Sequence, residues 1–573
     1  MDPLSFLGGV LTGAGAWQAA RKMQQRPGPR EGLGDLLGWA FLIDDGIILM
    51  KDGTFLAGMT LRGRDLESAS EEEVNRATQT IHETIALLGE GCSIEVNIHR
   101  RERCEYPTPT RNHFPTKALQ QVEGERRDQF LQPGRHYETE NVVLLSCIPP
   151  RDDLCRWEKL VISGTHATLD YAHALEQFQR MIHEAQMHLG STFFVHPLDS
   201  QGLLTECHRC LTGLQDPVAV QSSYLSHTLA SSDLIAGYVP HIAGHHIYVL
   251  TVTSPGAYTE AATGDFFNGL REEARWHMRF VALSRTEAQR RIRKLQTRWF
   301  HQRGGLRALA SYEVKNSMED QDAVAMERET ASALAKATSG HTRFGYFTNT
   351  ILLRDTDARR GKARAQTMLQ VLRDQGFTCM LETINATDAF IGSLPGHGAS
   401  NLRRPLLSSH NVAHLFPVTT PWTGKRTCPS PLFPSNSPPL LYARAYGATP
   451  FCVNLHQDDV GHTLVVGATG AGKSVLVGFL ALSFLRYKNS RVYLFDVGDS
   501  HRMLTHAAEG EHCALGGAGA PALQPLRHLD APEDRMWATT WLETIFDLVG
   551  TTLSPGDRKT ISATLDLLAE APK

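Results

Sequence analysis

The residues with the most specific chemical spacing are Gly467, Ala468, Thr469, Gly470, Ala471, Gly472, Lys473, Ser474 and Val475. Glycines placed before a lysine and a hydroxyl let consecutive backbone N–H groups curl around phosphate oxygens without a Cβ in the way. Lys473 is placed to reach β- and γ-phosphates, and the Ser474 hydroxyl to ligate Mg²⁺. The pattern predicts an ATP and Mg²⁺ site. Lys473 and Ser474 are its catalytic pair, Ser474 its metal ligand, and Gly467 to Val475 its cofactor-binding stretch.

Such a loop works between a strand and a helix. Thr463 to Val466 is apolar and β-branched, as a buried strand would be, and Val475 to Tyr487 can run as an apolar helix with its positive end at the anion. Arg491 to Asp496 reads as a second strand ending in a carboxylate. Because it follows the helix immediately, it is the next strand of a βαβ unit and not the strand that carries the metal-binding Walker B aspartate. Structural and functional roles for Asp496 stay equally open. A loop at Gly516 to Pro525 and helices at Trp537 to Leu548 and Pro555 to Ala569 follow, with no apolar strand ending in Asp-Glu. The carboxylates of a complete motor are therefore expected to be missing from this chain.

Upstream, Asp52-Gly53 between apolar runs predicts a hairpin turn. A helix near Glu71 to Leu88, strands at Cys92 to Ile98, Val142 to Ile148 and Ile247 to Thr253, and helices at Leu169 to His188 and Leu203 to Leu214 predict an α+β module. From Phe344 the order is strand, helix (Ala358 to Gln375), strand (Thr378 to Ile384) and short helix. Between Glu272 and Arg307 arginine dominates, with Arg285, Arg290, Arg291, Arg293, Lys294 and Arg298 interleaved with Trp276 and Trp299. The spacing fits a long amphipathic helix, which favours a solvated face or a subunit contact over a nucleic-acid face. Pro417 to Pro439 is crowded with proline and serine and predicts a linker.

With 573 residues and a net charge of −4, the chain has core enough for several domains and no general attraction for nucleic acid. Its ten cysteines are scattered without a secretory signal, which predicts free thiols in a reducing compartment. Cys207 and Cys210 form a lone C-x-x-C with no second pair at zinc spacing. Leu4 to Ala20 is apolar but short for a span, and reads equally as a buried or disordered extension or as a helix at the membrane surface.

Several stretches together carry a resemblance. They are Leu49-Met-Lys-Asp-Gly-Thr-Phe55, Leu61-Arg-Gly-Arg-Asp-Leu66, Phe344-Gly-Tyr346, Glu382-Thr-Ile-Asn-Ala386, Ile391-Gly-Ser-Leu-Pro-Gly396, Thr449-Pro-Phe451, Asp459 to Leu464, Phe495 to Ser500 and Leu523-Gln-Pro-Leu526. The chain resembles the CagE/TrbE/VirB family of conjugal-transfer ATPases of type IV secretion systems over nearly its whole length, most closely the TrbE branch. Two departures stand out. The family normally continues past the equivalent of Lys573 through a Walker B strand with an acidic pair, and its members commonly begin near the Trp39 to Gly53 stretch.

The resemblance implies an α+β N-terminal module followed by the first half of an α/β P-loop NTPase domain of the RecA/FtsK/HerA-like kind. The expected divisions are an extension at 1–30, with peripheral membrane contact as one reading of it, the module at 31–416, a linker at 417–440 and an incomplete ATPase domain at 441–573. The implied function is an ATP-binding motor subunit coupling hydrolysis to pilus assembly and DNA or protein transfer. It would act at the cytoplasmic face of the bacterial inner membrane, as a homo-oligomer (a hexamer in the complete protein) with the inner-membrane channel proteins as partners. Without a recognisable Walker B, enzymatic turnover by this chain stays open, as does nucleic acid as a partner. A non-catalytic scaffold of the secretion channel and a FtsK/HerA-type DNA translocase are the alternatives.

Overall fold

The computed structural model of the protein describes residues 32–65, 69–103, 105–148, 167–220, 223–256, 259–303, 321–400, 403–515, 520 and 523–571. The extension with Leu4 to Ala20 and part of the loop expected at Gly516 to Pro525 lie outside them. The chain gathers into two compact units, Met1–Asn112 with Glu123–Leu464 and His113–Val122 with Val465–Lys573. Among the described residues no helix is long and apolar enough to cross a membrane.

The larger unit begins with strands β1 (Trp39–Asp44), β2 (Ile47–Met50) and β3 (Phe55–Arg62), helix α1 (Glu71–Leu87), and strands β4 (Cys92–Glu102) and β5 (Tyr137–Cys147). Helix α2 (Ala167–Gly190), strand β6 (Phe194–Pro197), helix α3 (Ser200–Thr212) and strands β7 (His241–Ile242), β8 (His245–Ser254) and β9 (Ala274–Ala282) follow. Then come helices α4 (Arg285–Arg303) and α5 (Gln321–Ser339), strand β10 (Phe344–Asp355), helix α6 (Ala358–Asp374), strand β11 (Thr378–Leu381) and helix α7 (Ala386–Gly392). Strand β12 (Leu406–Ser408), helix α8 (Ser409–Leu415) and a hairpin of β13 (Leu441–Arg444) with β14 (Pro450–Val453) complete it.

One antiparallel sheet runs in the order β1-β2-β3-β5-β4-β9-β10-β8-β11, with β6, β7 and β12 on side branches. The helix expected from Glu71 is α1, opened by a capping box between Ser70 and Glu73. Its Ala77, Ile81 and Ile85, four residues apart, are buried on the sheet. The hairpin turn expected at Asp52-Gly53 joins β2 to β3.

Strand β9 corrects the reading of the arginine-rich stretch as one helical feature. Arg275, His277 and Arg279 alternate with Trp276, Met278 and Phe280, and all six are buried. A period of two sends the two sets to opposite faces. The amphipathic helix begins only at Arg285, and its Ala288 and Ile292 pack with Ala337 of α5. Arg290, Arg291, Arg293, Lys294 and Arg298 are exposed, as a solvated face requires.

One face of the central strands is apolar, with Ile94, Val96 and Ile98 of β4 beside Trp276, Met278 and Phe280 of β9. The other face is polar and equally buried, formed by Glu95, Asn97, His99, Arg275, His277 and Arg279. Glu95 and Arg279 stand opposite each other in the ladder. Their contacts are Arg279 Nε to Glu95 Oε1 at 2.8 Å and Nη2 to Oε2 at 3.0 Å. The same guanidinium donates to the carbonyls of Gly392 (2.6 Å) and Leu394 (2.7 Å), while the Gly396 N–H donates to Glu95 (3.2 Å). Arg275 donates to Ser393 Oγ (2.5 Å) and to its carbonyl (3.1 Å). The Gly392 to Gly396 turn is thereby fastened onto the sheet.

The expected linker is packed rather than loose over much of its length. Val418, Thr420, Ser430 and Leu440 are buried, and Asp265 accepts the N–H groups of Val418 (3.0 Å) and Thr419 (3.2 Å). The expectation of free thiols is met at Cys207, Cys210, Cys379, Cys428, Cys452 and Cys513. It fails at Cys92 and Cys147, which are joined by a disulfide because the β4–β5 register sets them directly opposite.

Removing one partner of the Glu95–Arg279 pair should destabilise the larger unit by about 3–5 kcal/mol, because the other charge is left buried alone. Arg279→Met combined with Glu95→Leu should cost clearly less than the two single changes added. Urea unfolding followed by fluorescence of the buried Trp39 and Trp276 measures both.

His397 gives a pH dependence. Its Nε2 accepts the Gly38 N–H (2.7 Å) and its Nδ1 donates to the Pro395 carbonyl (2.9 Å), so the ring is neutral. Burial pushes its pKa down to about 4 from 6.5, so its stabilising effect is present above pH 6.5 and is lost as pH falls toward 4. His397→Gln should flatten the fall in the urea midpoint over that window.

Candidate functional site

The smaller unit holds helices α9 (Lys473–Phe484), α10 (Arg502–Ala507), α11 (Pro532–Leu548) and α12 (Pro555–Glu570). The helix expected from Val475 to Tyr487 is α9, and those expected at Trp537 to Leu548 and Pro555 to Ala569 are α11 and α12. Leu529, Ala538 and Leu565 form a small core between the latter two.

Gly467 to Val475 is a single exposed turn entering α9, with only Lys473 partly covered within Gly467 to Ser474. Gly470 and Gly472 have φ of 82° and 89°, a left-handed conformation that glycine alone adopts without strain. Gly472 caps α9 and brings no side chain to its first N–H groups. Those donors and the positive end of the helix dipole therefore face the loop. Lys473 Nζ donates to the Ala468 carbonyl (2.7 Å), which folds the ammonium back over the same turn. Backbone donors, one ammonium and the Ser474 hydroxyl make a donor set suited to a polyphosphate and a hard cation.

Asp496 is brought to this helix through a residue that no sequence motif singles out. The His501 backbone N–H (2.9 Å) and ring Nδ1 (3.0 Å) both donate to Asp496 Oδ2, and the ring Nε2 donates to the Ser474 carbonyl (2.9 Å). The His501 N–H leads the bonds that hold the Asp496 carboxyl below the usual carboxylate range. This histidine escapes pattern reading because a spacing of five residues outside a regular element has no periodicity.

The two segments expected as strands, Thr463 to Val466 and Arg491 to Asp496, are not paired as strands. Leu464 and Val466 are 86% and 80% exposed, and Tyr493 and Phe495 75% and 98%. An apolar segment becomes a buried strand only when neighbouring strands satisfy its backbone and layers cover its faces. Among the described residues neither segment has such a neighbour.

The Cys207/Cys210 pair lies on α3, where His99 of β4 joins Glu206 and Cys210 with ligand atoms within 4.8 Å of one another. His99 Nε2 donates to Glu206 Oε1 (2.9 Å), and Arg209 Nε donates to Oε2 (2.9 Å). Burial pushes the Cys210 thiol up to about 12 and His99 down to about 4. The carboxylate is already balanced by Arg209 and the thiol is held protonated, so the cluster works as a polar tie between helix and sheet.

Two family models match this chain. Residues 46–153 match the N-terminal domain of the type IV secretion system ATPase VirB4/TrbE. Residues 275–403 match the CagE, TrbE, VirB family, a component of the type IV transporter system. Among curated relatives, the conjugal transfer protein TrbE of Rhizobium radiobacter is 32% identical over 564 residues, covering 94% of this chain and 68% of the relative. A probable conjugal transfer protein TrbE of Sinorhizobium fredii is 34% identical over 63% of this chain and 55% of its own length. The protein virB4 of Agrobacterium fabrum is 24% identical over 85% of this chain and 61% of its own. The chain thus spans about two thirds or less of these relatives, by the shares just given.

Gly472→Ala forces a Cβ into a left-handed position and should destabilise the smaller unit by about 1–2 kcal/mol. Gly467→Ala brings a Cβ no nearer than 3.6 Å to Lys473 and should be close to neutral for folding. Hydrogen exchange of the α9 amides distinguishes the two, with faster exchange expected for Gly472→Ala alone.

Proposed function

The chain belongs to the CagE, TrbE, VirB family of type IV transporter components, and on that premise we propose that it is a nucleotide-binding motor subunit of a conjugative type IV secretion system. In this reading ATP hydrolysis is coupled to pilus assembly and to transfer of DNA or protein.

The observation that carries the proposal is the glycine turn that opens α9, with Lys473 and Ser474 at its end. Lys473 would neutralise charge on the β- and γ-phosphates, and the Ser474 hydroxyl would hold Mg²⁺. The free N–H groups of α9 would take the remaining phosphate oxygens. ATP bound there supplies the phosphoanhydride whose cleavage drives conformational work. The stretch 441–573 is then the first half of a P-loop domain of the RecA/FtsK/HerA-like kind, following the module at 31–416 and the passage at 417–440. Further copies of the chain and the inner-membrane channel proteins are the partners this reading requires, at the cytoplasmic face where ATP is available.

A second reading, a non-catalytic scaffold of the channel, is favoured by the engagement of Asp496 with His501. Among the described residues no carboxylate is bonded to the Ser474 hydroxyl that would share a metal ion.

A Mg²⁺–triphosphate at 100 times its Kd should stabilise a binding-competent chain by about 2.7 kcal/mol. Thermal unfolding with and without nucleotide measures this, and Lys473→Ala should abolish the shift. The loss of all nucleotide response in the parent chain would sink the proposal. Turnover that vanishes in Lys473→Ala would favour the motor, whereas binding without turnover would favour the scaffold.

A further inference from the structure

We infer that His501 is a positioning residue of the phosphate loop, acting through the Ser474 carbonyl to fix the first peptide plane of α9. The inference rests on the nucleotide-binding reading above and names a residue that this reading does not use.

His501 ties three pieces of chain. Asp496, at the end of the apolar segment, accepts both its backbone N–H and its ring Nδ1. Its carbonyl accepts from the Thr505 N–H (2.9 Å) and hydroxyl (3.0 Å), which starts α10. Its Nε2 donates to Ser474 at 2.9 Å. Both ring neighbours are acceptors, so the ring donates in both directions. The ring is only 12% exposed, on a surface where the loop itself is open.

The packing demands this seat. A Cβ on Gly478, one helical turn after Ser474, would lie 2.8 Å from His501 Cδ2. Only glycine at that position lets the imidazole lie against α9 and reach the carbonyl.

The consequence follows from the rigidity of the peptide bond. The Ser474 carbonyl and the Val475 N–H belong to one plane. The Val475 N–H is among the first donors of α9, which lack partners inside the helix. A donor bound to the carbonyl from the side limits rocking of that plane and so holds the Val475 N–H in the direction of the loop. Holding a donor in place before the anion arrives lowers the ordering cost of binding.

Two substitutions separate this role from simple packing. Gln places an amide nitrogen where His501 Nε2 lies and keeps the donor to Ser474, whereas Asn reaches only toward Asp496. In the full chain, affinity for a fluorescent Mg²⁺–triphosphate analogue should fall about tenfold in His501→Ala and His501→Asn. His501→Gln should stay near the parent value, and Lys473→Ala should bind nothing.

Unchanged affinity in His501→Ala, or equal loss in the Asn and Gln variants, would overturn the inference while leaving the nucleotide reading intact. If the parent itself binds no analogue, that reading fails separately. The tie is then judged by amide exchange in the free chain. Exchange over Val475 to Gly478 that quickens in His501→Ala and His501→Asn but not in His501→Gln supports it, and exchange unaltered in all three overturns it.

Discussion

The buried pair of Glu95 and Arg279 is the contact on which the larger unit is organised. Each is almost wholly removed from water, at 0% and 1% exposure. Taking two charges into a sheet costs several kcal/mol per ion, and their mutual attraction offsets that only when the remaining hydrogen-bonding capacity is filled. The turn from Gly392 to Gly396 does the filling, with two carbonyls for the guanidinium and an N–H for the carboxylate. A polar sheet face and a glycine-rich turn that would each be unstable alone satisfy one another.

Neighbouring contacts extend that arrangement. Trp39 Nε1 donates to the Pro395 carbonyl (2.9 Å), and His397 accepts the Gly38 N–H, so the first strand is held by the same turn. Arg100, also buried, donates to the Leu270 carbonyl (2.6 Å), to Thr139 Oγ1 (2.7 Å) and to the Gly447 carbonyl. It has backbone and hydroxyl acceptors in place of a carboxylate, and burial pushes its pKa down to about 10. The family match over residues 275–403 runs from one gripping arginine through the gripped turn, so the region of resemblance coincides with this hub.

The smaller unit is built on different terms. Its core is a short helix–helix contact, while Val466, Tyr493, Phe495 and Val497 remain largely exposed. Stability in a protein is distributed unevenly, and elements with few buried apolar contacts open first. A phosphate loop on such a unit relies on local ties, of which the Asp496–His501–Ser474 chain is the clearest. Preorganisation of the loop therefore comes from a hydrogen-bonded bracket rather than from a sheet behind it.

Legibility in the sequence depended on distance along the chain. The glycine turn was legible because its nine residues are contiguous and its chemistry follows from glycine φ values and a helix terminus. Helix α1 announced itself by a capping box and a four-residue period, and the β2–β3 turn by Asp-Gly. The alternation Arg275 to Phe280 was present in the sequence, yet the arginines that followed masked it. What the sequence by itself determined, then, was local conformation and the identity of the phosphate-binding stretch. Only the tertiary structure decided which polar residues share a buried face, because Glu95 and Arg279 lie 184 residues apart and no periodicity links them. It also decided that two apolar segments stay unpaired, since a strand is defined by neighbours and not by its own residues.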